Sequence, residues 1–217
     1  MMRKLTILFT VVLTTMVFYL AAQGAAGSGP VSSKLTAQEL ARVKAGEIVV
    51  KNEMNEESSS GHGVAFGIFH GSKEDFWKVI FDYDNYLDIY PRLEKVTLIE
   101  RDGNKYVVEF HLDATLKTIV YTTINILSED RTRLRWTLDQ TRPHKYLKVS
   151  DGYWQLEELE PGVLLGEYKV IVELDLGILT GVVSGIVRSM SRDDLPDVLI
   201  ATRKRMESGG TWTRHQR

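Results

Sequence analysis

The sequence predicts an α+β fold: an antiparallel strand meander, with two short helices after the first strands and a helix near the C-terminus. Three observations predict it. From Val96 to Leu174 one strand pattern follows another, joined by turn signals such as Asp102-Gly103-Asn104 and Pro161-Gly162. Between the early strands and this run lies Gly71 to Glu100, a capped aromatic helix that breaks up in a Tyr-rich segment before Pro91. Such a helix pair, set between strands, is what a curved sheet needs to close over a cavity. Helical spacing then returns only near the end of the chain.

The elements are justified in order. Met1 to Lys4 is basic, Leu5 to Ala22 is apolar apart from Thr and Tyr, and small residues follow in AAQGAAGSGP. This is the pattern of a secretory signal over residues 1–26, with cuts expected near Ala22-Gln23-Gly24 or Gly24-Ala25-Ala26. The alternative is an uncleaved anchor through residues 5–22. Either way the folded part is expected outside the cytoplasm, in the periplasm, with a linker over 27–35. Thr36-Ala37-Gln38-Glu39 is a capping box, so a short helix is expected from Ala37 to Ala45, stopped by Gly46. Glu47–Met54 and Val64–His70 read as strands around a Ser- and Gly-rich loop. Ser72 with Asp75 forms a second capping box, and Phe76, Trp77, Val79, Ile80 and Tyr83 form one apolar stripe.

The sheet follows. Tyr106, Val108, Phe110 and Leu112 share a face, with Glu109, His111 and Asp113 opposite. Leu116–Leu127 is a long strand, partly apolar on both faces. In Arg131–Asp139 the arginines at 131, 133 and 135 point one way and Leu134, Trp136 and Leu138 the other. Val149–Leu159 carries Gly152, read as a bulge. In Val163–Leu174, Tyr168, Val170, Val172 and Leu174 face in, while Glu167, Lys169 and Glu173 face out. Ile178–Met190 is an apolar, Gly-bearing stretch. Asp193 or Asp194 is expected to cap a last helix to about Met206, with Pro196 in its first turn. A domain over 36–207 is therefore expected, with a frayed tail over 208–217.

Composition narrows the function classes. The formal net charge is −2, and about −4 without Arg3 and Lys4, which argues against nucleic acid as a partner. With no cysteine, the chain has no disulfide, thiolate or iron–sulfur chemistry. The five histidines show no metal-ligand spacing, and no Gly-rich phosphate loop or nucleophile elbow is present. Neither a metal nor a cofactor is expected, and no catalytic set is assigned.

The element order, with FWKVIFDYDNYLDIYP after the first strands and DGYWQLEEL near the end, resembles the START-like (SRPBCC) superfamily. That group includes polyketide cyclase/dehydrase, lipid-transport and coenzyme Q-binding domains. The similarity spans roughly Gly46 to Met206, and rests on Trp77, Asp82, Tyr86, Pro91 and Trp154. It implies a helix-grip fold, a curved antiparallel sheet wrapped around a long C-terminal helix, with an apolar cavity between sheet and last helix.

Phe110, Trp136, Trp154 and Tyr168 are the large inward residues, with Ile186 and Met190 on the covering stretch. On one reading they line a ligand cavity; on the other they fill a solid core. The cavity reading makes the chain a carrier of a hydrophobic small molecule: a lipid, isoprenoid or polyketide-like compound. Two alternatives stand beside it. One is a cyclase- or dehydratase-type enzyme, with Asp151 or Tyr168 as acid or base. The other is a protein-interaction module docking through an exposed Tyr86–Tyr90 loop. The Gly177–Met190 stretch is a candidate lid and a candidate for transient membrane contact, although it lacks a flanking basic face. Arg142, His144, Lys145 and Lys148 form a basic loop, read as a solvated surface or as a holder of an anionic head group.

Overall fold

The computed structural model describes residues 29–54, 60–114, 117–174 and 193–214 of the chain. The segment expected to be a signal or anchor and the apolar stretch holding Ile186 and Met190 lie outside these residues. The described residues from Val31 onward form one unit. Among the described residues no helix is long and apolar enough to cross a membrane.

A short 3-10 turn, Val31–Lys34, leads into α1 (Ala37–Lys44). The helix starts where expected, because Thr36 accepts from the Glu39 amide while the Glu39 carboxylate accepts from the Thr36 amide. Strands β1 (Val49–Met54) and β2 (Ser60–His70) follow, then α2 (Lys73–Ile80), a 3-10 turn (Tyr83–Asn85) and α3 (Tyr86–Ile89). Ser72 and Asp75 cap α2 in the same reciprocal way. Six more strands run in sequence: β3 (Leu93–Asp102), β4 (Lys105–Asp113), β5 (Thr118–Leu127), β6 (Arg133–Leu138), β7 (Leu147–Glu160) and β8 (Val163–Leu174). The chain closes with α4 (Leu195–Glu207).

All eight strands pair antiparallel in one sheet, ordered β1-β2-β8-β7-β6-β5-β4-β3. The chain crosses from β2 to the far edge through α2 and α3, then meanders back until β8 joins β2. The sheet curves around α4. This is the helix-grip architecture that the resemblance implies. On its inner face Phe69, Phe76, Trp77 and Trp154 meet Val198 and Leu199 of α4 in the main core. Trp77 anchors α2 by donating its indole N–H to the Arg131 carbonyl at 2.7 Å.

Several local expectations are corrected. Arg131 is a turn residue with φ +53° and lies outside β6. The bulges of β7 fall at Leu147/Val149 and Glu158/Glu160, whereas Gly152 pairs regularly with Trp136 and Val170. Its missing side chain serves another end: a Cβ there would stand 2.2 Å from both the Lys169 carbonyl oxygen and Trp136 Cζ2. Glu167 does face away from the cavity, but it is only 2% exposed. The Val31–Lys34 turn covers it, and it accepts from Lys34 Nζ at 2.6 Å and from the Tyr153 hydroxyl at 2.8 Å. A buried carboxylate survives only when paired in this way.

Asp194 occupies the cap position of α4 without a side-chain cap bond, because its carboxylate is taken by Arg92. Residues 208–214, expected to fray, bond back onto the body. Arg205 Nη1 donates to the Trp212 carbonyl, and Arg214 donates to Asp88, Ile89 and Asp197.

Candidate functional site

The sheet and α4 do not meet flush. Between them lies a cavity of ≈150 Å³. A water needs roughly 10–15 Å³ of such space, so this is far more than a packing defect. The strand period builds its walls. On β4 and β5, Phe110 and Tyr121 are opposite one another and stack at 5.4 Å. On β6 and β7, Trp136 lies opposite Gly152, whose bare backbone leaves room for the indole. Trp154 and Tyr168 are paired across β7 and β8 and stack at 4.4 Å. Leu195 and Val198 of α4 supply the covering surface.

α3 contributes the other aromatic wall. Tyr86 and Tyr90 are four positions apart, share one side of the turn, and stack at 4.4 Å. Both line the cavity. The expected exposed Tyr86–Tyr90 docking loop is thus corrected: Leu87, on the opposite side of α3, is the residue that reaches solvent, at 41% exposure. Trp154 Nε1 donates to the Tyr90 hydroxyl at 3.3 Å, and that hydroxyl also bonds with those of Tyr86 and Tyr168. Burial, the largest cause, pushes the phenols of Tyr86, Tyr90, Tyr121 and Tyr168 upward. They remain neutral at pH 7 and act as hydrogen-bonding dipoles, not bases.

Four of the six residues picked from the sequence, Phe110, Trp136, Trp154 and Tyr168, are brought together here. Ile186 and Met190 lie outside the described residues. Asp151 is not in the cavity. It sits on the opposite face and accepts from Thr137 Oγ1 at 2.8 Å, which removes it as an internal acid or base. His111 bonds Glu109 at 3.0 Å on the outer face. The basic loop is engaged locally: Arg142 pairs with Asp139, Lys148 with Glu173, and Lys145 lies over Tyr146. Among the described residues no cluster of three or more His, Asp or Glu is placed to hold a metal.

The sequence pattern of a family described as polyketide cyclase / dehydrase and lipid transport matches residues 71–203, well over half of the chain. The chain belongs to this family. Within the polyketide cyclase/dehydrase and lipid transport family the matched span runs from the start of α2 into α4, and so contains nearly every cavity wall. No curated protein sequence matches the chain.

Solved structures share the fold. A STAR-related lipid transfer protein from Xanthomonas axonopodis is 13% identical with TM-score 0.59, covering 74% of this chain and 93% of that one. Zhui aromatase/cyclase from Streptomyces sp. R1128 is 18% identical with TM-score 0.53, covering 70% and 93%. A START superfamily protein from Mycobacterium smegmatis is 14% identical with TM-score 0.52, covering 75% and 99%. At these identities the likeness is one of fold.

Sequence reasoning missed Arg92 and Asp194, which meet at the cavity, and the polar wall residues Thr123, Asn125 and Ser150. A signal for the wall residues existed. Thr123 and Asn125 continue the inward phase of Ile119 and Tyr121 on β5, and polar residues in an inward phase are candidates for a lined hollow. Asp194 was masked by its cap-like position.

Proposed function

We propose that this protein binds a hydrophobic small molecule in the cavity and carries it outside the cytoplasm. The observation that carries this reading is the aromatic hollow left between the sheet and α4. Its walls are mostly apolar, with a few hydroxyls converging near Tyr90, the usual composition of a small-molecule site. Burying about 200 Å² of apolar ligand surface at about 25 cal/mol per Å² contributes roughly 5 kcal/mol, so capture needs no charge pair with the ligand. Membership in a family that includes lipid transport, and the fold shared with a STAR-related lipid transfer protein, support the same reading. The site outside the cytoplasm rests on the basic, apolar and small-residue order of the first 26 residues.

A second reading is a cyclase- or dehydratase-type enzyme in the same cavity. Arg92 and Asp194 favour it, since they put an ionisable pair against the ligand space. The fold shared with Zhui aromatase/cyclase is consistent with it.

Native mass spectrometry of the purified chain, before and after organic extraction, tests the main reading. An apolar mass that leaves on extraction and returns on incubation with lipid extract is expected. A chain that is never loaded and cannot be loaded contradicts it. Conversion of the bound compound, abolished in Asp194→Asn, would select the enzyme. N-terminal sequencing of cell-derived protein tests export: cleavage near Ala22–Ala26 supports a signal, and retention in the cytosolic fraction contradicts it.

A further inference from the structure

Among the described residues that line the cavity, only Arg92 and Asp194 carry formal charge. They face each other, with Arg92 Nε donating to Asp194 Oδ2 at 2.5 Å and side-chain exposures of 24% and 20%. The chain brings them from opposite ends. Arg92 follows Pro91 at the foot of β3, and Asp194 stands at the start of α4. The pair adds strong donors and acceptors to the cavity but no net charge. Nearby, the hydroxyls of Tyr86 and Tyr168 are both linked to that of Tyr90, and burial pushes the ionisation of all three phenols further up.

This arrangement treats ligand head groups unequally. A carboxylate or phosphate entering here would stand beside the like charge of Asp194 and would have to take Arg92 from it. A cation would meet the mirror problem at Arg92. A hydroxyl can donate to the carboxylate and accept from the guanidinium while the pair stays together. The cavity volume lies below the roughly 300–1,000 Å³ of sites for drug-sized ligands, so a compact body fits best. The stacked walls offer ring faces on which such a body can lie.

Resting on the binding reading above, we propose that the Arg92–Asp194 pair makes the cavity selective for an uncharged, hydroxyl-bearing, compact apolar molecule over carboxylates, phosphates and amines of the same shape. Discrimination of this kind comes from the penalty imposed on the wrong ligand as much as from contacts with the right one.

Three probes of one shape test it by isothermal titration of the full chain at pH 7: 2-naphthol, 2-naphthoate and 2-naphthylmethylammonium. The wild-type chain is expected to bind 2-naphthol at least ten-fold more tightly than either ion. Asp194→Asn removes the carboxylate that repels an incoming anion and is expected to raise 2-naphthoate affinity at least ten-fold, with 2-naphthol changed less than three-fold. Arg92→Gln is expected to move the gain to 2-naphthylmethylammonium. Equal wild-type binding of naphthol and naphthoate overturns the selection while leaving the cavity reading intact. So do folded variants that keep the wild-type ratios. Binding of no probe by the wild-type chain overturns both. The wild-type comparison decides even if a variant fails to fold.

Discussion

Gly152 and Trp136 form the cavity wall as a unit. The indole of Trp136 lies against the β7 backbone only because residue 152 has no Cβ. A glycine inside a strand signals either a bulge or a close approach, and the sequence alone favours neither. The structure shows the close approach. Since one of the three clashing atoms is a main-chain oxygen, Gly152→Ala cannot be relieved by a rotamer change. It is expected to lower stability by about 3 kcal/mol, read as a fall in the urea midpoint. An unchanged midpoint would show that the indole does not sit there. Arg92 and Asp194 make the opposite case for legibility. They are 102 positions apart, and no local pattern announces that they meet. The inward aromatics were readable because a period of two fixes their face, whatever lies across from them.

At the scale of elements, the two capping boxes were fully legible, since each is closed within four residues. The fastening of α3 to α4 was not. Arg205, 1% exposed, donates to Asp88 at 3.2 Å and to Asp82 at 2.7 Å, and Arg214 adds a second bond to Asp88 from the C-terminal segment. This network holds the turn that carries Tyr86 and Tyr90 against the last helix, so the tail read as frayed in fact braces a cavity wall. Removing one partner leaves charges stranded in a poorly solvated place. Arg205→Met is expected to cost about 3 kcal/mol in urea unfolding, and combination with Asp88→Asn is expected to cost less than the sum of the two single changes. Strict additivity would mean the two side chains do not act together. The same network explains the misplaced docking loop. Aromatic residues beside acids read as surface in a sequence, yet here Asp82 and Asp88 face the arginines while Tyr86 and Tyr90 turn inward.

At the scale of the whole molecule, the antiparallel meander and the inward faces followed from turn signals and alternation, the pairing of β2 with β8 did not, and FWKVIFDYDNYLDIYP with Trp154 pointed to the helix-grip fold. What alternation cannot reveal is the distance between two apolar surfaces. Phe110, Trp136, Trp154 and Tyr168 would show the same pattern in a solid core as in a lined hollow. The difference arises from Gly152 and from tyrosine hydroxyls that bond one another instead of being filled over.

Diffraction from crystals held under xenon tests that difference most directly, because xenon enters apolar hollows and leaves packed cores empty. The account predicts a xenon peak among Trp136, Tyr168 and Val198. Interlocked side chains there, with no peak at any pressure the crystal survives, would contradict it.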